Sequence, residues 1–82
     1  MKVLYFAWLR ERIGESEEVV ATDGLTTVAD LIAALKTRSD GHAMAFADTK
    51  ALRVAVNQKV AGFDAPLDGV EEIAFFPPMT GG

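Results

Sequence analysis

The chain has 82 residues, half of them apolar, with a formal charge of −4 and no cysteine. That length gives one small domain, which buries about 60–65% of its unfolded surface. Disulfides, thiolate metal sites and a cysteine nucleophile are excluded together, and an acidic domain without a basic stripe is a poor binder of nucleic acid.

Lys2 to Trp8 is rich in Val, Leu, Tyr, Phe and Trp and reads as a first strand. Val3, Tyr5 and Ala7 alternate with Leu4, Phe6 and Trp8, so both faces are apolar and the strand belongs inside its sheet. Core is the expected place for Tyr5, Phe6 and Trp8. The run is too short for a signal peptide, and Arg10-Glu11-Arg12 follows it instead of a cleavage site. No segment is long enough to span a membrane, and the lack of cysteine fits the cytoplasm. Ile13-Gly14-Glu15-Ser16 reads as a turn and Glu18 to Thr22 as a second strand.

Val28, Leu31, Ile32 and Leu35 fall at i, i+3, i+4 and i+7, which predicts a helix over 28–38. Thr27 caps it, Asp30 reaches back, and Gly41 ends the segment. Residues 42–51 are ambiguous, with a short second helix suggested at Ala43 to Ala47. Arg53 to Asn57 alternates as a strand, Asn57-Gln58 turns, and Lys59 to Ala61 forms a brief strand. Residues 63–69 form a loop, and Glu71 to Phe76 is the last strand. The order β-β-α-β-β, with one short strand added, is α+β: one main helix over a mixed sheet of four to five strands. The first and last strands, the most apolar, are expected in its middle.

Residues 1–76 then form the domain and residues 77–82 an extended tail. Pro77-Pro78 stiffens the exit. The six residues from Pro77 to Gly82 reach roughly 20 Å at about 3.3 Å each. Gly81 and Gly82 carry no Cβ, so the terminal carboxylate can pass down a narrow channel. That carboxylate is ionised at neutral pH and needs activation, most simply as an acyl-adenylate. The chain has no phosphate-binding Gly-rich loop followed by Lys, so an ATP-using enzyme must act from outside.

Other candidates have ordinary readings. His42 stands alone beside a glycine, reads as an exposed loop residue, and suggests neither a metal site nor catalysis. Glu17-Glu18 and Glu71-Glu72 are adjacent strand residues pointing to opposite faces, and read as solvated. Phe75 and Phe76 also point oppositely, so one belongs in the core and the other is left for a partner.

Phe75 to Gly82 resembles the C-terminus of the small subunits of molybdopterin synthase, the MoaD family. The likeness extends through Lys2 to Ala7, Thr27 to Leu31, Val54 to Gln58 and Phe63 to Gly69. The family often has an acidic residue after the Asp-Gly; here it is Val70. The resemblance implies a ubiquitin-like β-grasp fold that binds no cofactor itself. It implies that Gly82 is adenylated by a separate ATP-dependent enzyme, receives sulfur from a donor protein as a thiocarboxylate, and enters the large subunit. There it would donate sulfur to cyclic pyranopterin monophosphate, building the molybdopterin dithiolene within a heterotetramer. Gly81 would allow passage, and Phe75, Phe76 and Pro77 would belong to the docking region. A carrier for thiamine biosynthesis, a ubiquitin-like protein modifier and an inert interaction domain stand as alternatives.

Overall fold

The computed structural model describes residues 1–78. Gly81 and Gly82 lie outside the described residues. The elements are β1 (Lys2–Tyr5), α1 (Trp8–Ile13), β2 (Glu17–Val19), α2 (Val28–Leu35), α3 (Asp40–Ala45), a 3₁₀ turn (Thr49–Ala51), β3 (Arg53–Val56), β4 (Lys59–Ala61) and β5 (Glu72–Phe76). The sheet has five strands in the order β2-β1-β5-β3-β4. β1 and β5 are parallel neighbours and the other pairs are antiparallel. The two most apolar strands are therefore central, as their composition requires, and the arrangement is the mixed β-grasp sheet.

α2 forms for the reasons its sequence carries. The Thr27 hydroxyl accepts from the Asp30 backbone N–H, and the Asp30 carboxylate accepts from the backbone N–H of Thr26 and Thr27. Val28, Leu31, Ile32 and Leu35 are all buried. Each such side chain contributes about 1.5–3 kcal/mol when removed from water, which outweighs the helix's weak intrinsic propensity. The helix ends at Leu35, earlier than the predicted 38, so Arg38 lies beyond its end.

The β3–β4 turn also forms as read. Asn57 and Gln58 both have positive φ, 48° and 71°, suiting a two-residue hairpin loop. Asn57 Oδ1 accepts from the backbone N–H of Glu71 and Glu72, at 3.0 and 3.1 Å, tying the hairpin to the start of β5.

Four expectations are corrected. The first strand stops at Tyr5 instead of running to Trp8. Ala7, at φ 54° and ψ −132°, turns the chain into α1, which the sequence reading lacked. Such a backbone conformation costs an alanine on the order of 1–3 kcal/mol. The turn lets α1 bring Leu9 fully into the core. Phe6 is consequently exposed and Trp8 only half-buried. The second strand is Glu17–Val19 and stops short of Thr22. Residues 40–45 form a helix, α3, within which Gly41 lies instead of ending a segment. A Cβ on Gly41 would overlap the Arg12 carbonyl oxygen, so glycine permits the close approach of α3 to α1. His42, finally, is buried.

The core brings together the inner face of the sheet, α2, Leu9 and Phe46. Phe46 and Phe75 meet edge to face at 4.9 Å, and Tyr5 stacks on Phe75 at 6.5 Å.

Candidate functional site

Two arrangements carry chemistry: the exit of the C-terminal segment and a half-buried polar cluster. β5 is paired on both sides along its length, with Phe76 opposite Arg53 of β3 and Phe75 beside Tyr5 of β1. The chain therefore leaves from the middle of a rigid sheet. Pro77 and Pro78, both half-buried, continue from it.

The alternation of β5 separates the two phenylalanines. Phe75 is fully buried, which corrects its placement in a docking region: it has no side-chain surface for a partner. Phe76, on the other face, is half-buried and presents its ring at the exit. Phe6 continues β1 beside it, donating its backbone N–H to the Phe75 carbonyl at 3.1 Å, with 47% of its surface exposed. On the same outer face, register aligns Leu4, Ala74, Ala55 and Val60 in a row across four strands. Val60 is 74% exposed. A row of small and apolar side chains leading to Phe6 and Phe76 suits a protein partner more than solvent.

The polar cluster was missed in the sequence. Glu18 Oε2 accepts from Tyr5 Oη–H at 2.6 Å and lies 2.8 Å from His42 Nε2. Arg38 Nε sits 3.6 Å from Glu18 Oε1. His42 Nδ1 lies 2.7 Å from Ser39 Oγ, and that hydroxyl accepts from the His42 backbone N–H to cap α3. Glu18 is thus largely buried, not solvated. Burial alone would raise its carboxyl pKa. The hydrogen bonds from Tyr5 and His42, helped by the charges of His42 and Arg38, instead hold it below the ordinary value. Burial, reinforced by the Glu18 bond and charge, pushes the Tyr5 phenol well up.

No signal in the chain at the level of spacing joins residues 18, 38 and 42. Only the preference of a buried histidine for a carboxylate partner hints at it. The cluster ties β1, β2, α3 and the segment after α2 together. Every buried side-chain polar atom among the described residues has a partner. Among those residues no group of His, Asp or Glu is placed to hold a metal ion. Among the described residues no helix is long and apolar enough to cross a membrane.

Comparison with known proteins agrees with this geometry. The profile of the ThiS family matches residues 3–82. The chain belongs to that family. The molybdopterin synthase sulfur carrier subunit of Escherichia coli is 46% identical to this ThiS-family chain over 82 residues, covering all of it and 99% of the relative. The Haemophilus influenzae subunit of the same name is 37% identical over the same span, again covering 99% of the relative. SAMP1 from Haloferax volcanii superposes with a TM-score of 0.73 at 27% identity, covering 100% of this chain and 98% of that one. A putative molybdopterin converting factor subunit 1 from Pyrococcus furiosus gives 0.72 at 27% identity, covering 95% of each chain. The MoaD-like character and the β-grasp fold of the ThiS-family chain rest on these matches. The two bacterial relatives are named as sulfur carrier subunits.

Proposed function

We propose that this chain is the sulfur carrier subunit of a molybdopterin synthase. The observation that carries the reading is the end-to-end match to the Escherichia coli subunit. The central position of β5 supports it, because pairing on both sides holds Phe76, and with it the start of the Pro77-Pro78 exit, in a fixed place.

In the proposed cycle a separate enzyme converts the Gly82 carboxylate and ATP into an acyl-adenylate and pyrophosphate. A sulfur-donating protein supplies a sulfide equivalent that displaces AMP, leaving a thiocarboxylate. Gly81 and Gly82 pass into the large synthase subunit, while Phe76 and Pro77 dock outside with Phe6 and Val60. The thiocarboxylate sulfur replaces an oxygen substituent on a carbon of cyclic pyranopterin monophosphate, that oxygen leaving as water or as phosphate oxygen. Water then cleaves the acyl C–S bond, restoring the Gly82 carboxylate and leaving a thiolate on the pterin, and two such transfers complete the dithiolene. This chain binds no ATP or metal of its own, works in the cytoplasm, and assembles as a heterotetramer.

Intact-mass measurement from native cells, with and without the activating enzyme, tests the carrier step. Exchange of one terminal oxygen for sulfur, dependent on that enzyme, is expected. Conjugates to lysines of other proteins would replace the reading with that of a modifier. Purified thiocarboxylate mixed with the large subunit and pyranopterin tests the pathway. Absence of a dithiolene product would turn the assignment toward another sulfur pathway, such as thiamine.

A further inference from the structure

The end of the molecule where the C-terminal segment leaves differs in charge from the rest. Arg10 and Arg12 on α1, Lys50 in the 3₁₀ turn and Arg53 at the start of β3 are all exposed. These are half of the eight basic residues of a chain whose net charge is −4. The opposite end of the sheet holds a depression lined by Glu71 and Glu72. The exit end thus gathers four basic side chains, while the far end mixes Glu71 and Glu72 with Lys2 and Lys59.

Among the described residues, ion pairs engage Lys2, Arg38 and His42, and none of the four basic groups at the exit. Arg12 lies over the Trp8 ring, 4.5 Å from its centroid, which orders the guanidinium and leaves its N–H edge available. Arg53 Nη1 bonds only the neutral Leu52 carbonyl, at 2.9 Å. Acidic residues are also present at this end, Glu11, Asp48 and, beside Gly62, Asp64. The Asp48 carboxylate, on the groove wall, accepts from the Lys50 backbone N–H through one oxygen.

Between α1, α3 and the 3₁₀ turn lies a groove of about 390 Å³, lined by Trp8, Arg12, Met44, Asp48 and Ala51 among others. Met44 is 64% exposed on its wall. A flexible thioether beside an indole makes an adaptable apolar socket. Its walls connect directly to the exit: Trp8 follows Phe6 by two positions and Ala51 precedes Arg53 by two.

We propose that this groove is a second docking site for the large synthase subunit. It takes an acidic segment of that subunit that carries one apolar side chain. The apolar side chain enters between Trp8 and Met44, and the carboxylates pair with Arg12 and Arg53. This rests on the sulfur-carrier reading and adds the chemistry of the partner surface. Charge complementarity selects the occupant. Arg12 on the groove wall and Arg53 two residues after Ala51, neither of them in an ion pair, attract an acidic protein segment, while the net charge of −4 disfavours a polyanion such as nucleic acid. A contact beyond the outer sheet face also fixes the rotation of the domain about its exit, which the exit alone leaves open.

The test is binding of the full chain to the purified large subunit, followed kinetically at low and high salt. Arg12→Glu and Arg53→Glu are each expected to weaken binding about tenfold at low salt, mainly by slower association, and their combination to flatten the salt dependence. Met44→Asp is expected to weaken binding at both salt concentrations. Lys59→Glu, at the far end of β3–β4, is expected to bind as the wild type does. Thermal melts of each variant confirm that the fold is intact. Wild-type binding with the Arg12, Arg53 and Met44 variants indistinguishable from it overturns this proposal and leaves the sulfur-carrier reading standing. Failure of the wild-type chain to bind the large subunit at all overturns both.

Discussion

Glu18 and His42 join two elements 24 residues apart: the carboxylate of β2 lies 2.8 Å from the imidazole of α3. Tyr5 and Arg38 converge on the same carboxylate, so one side chain anchors β1, β2, α3 and the segment after α2. Removing the carboxylate in Glu18→Ala leaves the buried Tyr5 hydroxyl and His42 ring without their partner. A loss of about 2–4 kcal/mol is expected by urea unfolding. A double-mutant cycle with His42→Ala is expected to give a coupling energy of about 1–2 kcal/mol; additive losses would show that the pair does not act as a unit.

The same carboxylate makes stability depend on acid. Its pKa is lower in the folded state than the ordinary value of 4.5. The folded state thus binds its proton less readily than the unfolded state. Its contribution is complete above that ordinary value and is lost as pH falls through the lower folded value. Asp30, depressed by the backbone N–H groups of Thr26 and Thr27, acts in the same direction. The urea midpoint is expected to fall as pH is lowered below the ordinary carboxylate range, and to fall less steeply in Glu18→Gln. Equal slopes in the two proteins would remove Glu18 from the account.

Gly41→Ala tests the contact between α3 and α1. Alanine would gain about 0.5–1 kcal/mol in helix propensity. Its Cβ, however, would meet backbone on α1, at the Arg12 carbonyl oxygen and 3.2 Å from the carbonyl carbon. Backbone cannot rotate away as a side chain can, so the clash wins and a net loss of about 1–3 kcal/mol is expected. An unchanged or raised Tm would show that the helices separate without cost.

Phe75 and Phe76 are expected to respond oppositely to truncation. Phe75→Ala removes a ring packed against Tyr5 and Phe46 and should cost about 3–5 kcal/mol. Phe76→Ala should change stability by less than about 1.5 kcal/mol, because its ring is only half-buried. It should weaken binding to the large subunit and slow sulfur transfer, as should Phe6→Ala. Calorimetry and a binding assay on the same preparations separate these effects.

Deletion of Gly82 is expected to leave the unfolding transition unchanged and to abolish sulfur transfer. The described core ends at Phe75, well before it. Loss of cooperative unfolding in the truncated chain would give the terminal residues a structural role.

Several features were legible because they are local. The stripe from Val28 to Leu35 and the Thr27–Asp30 cap specify α2 within a few residues, and Asn57-Gln58 specifies its turn. Apolar density on both faces of β1 and β5 was enough to place them centrally. α1 had a signal that was outweighed. Leu9 and Ile13, and Trp8 and Arg12, are each four apart, and Gly14 at φ 89° closes the helix. The alternation running from Val3 to Trp8 fits a longer strand equally well.

By itself, then, the sequence determined the elements whose stabilising contacts lie within a turn or a strand, and the family that the chain belongs to. Only the tertiary structure decided where β1 breaks, which phenylalanine faces outward, and that His42 is buried. Each of these depends on a partner far along the chain. Leu9 needs the core to reward the strained turn at Ala7. The parity of Phe75 and Phe76 is set by pairing with β1 and β3. A histidine is worth burying only when Glu18 arrives from another strand to meet it.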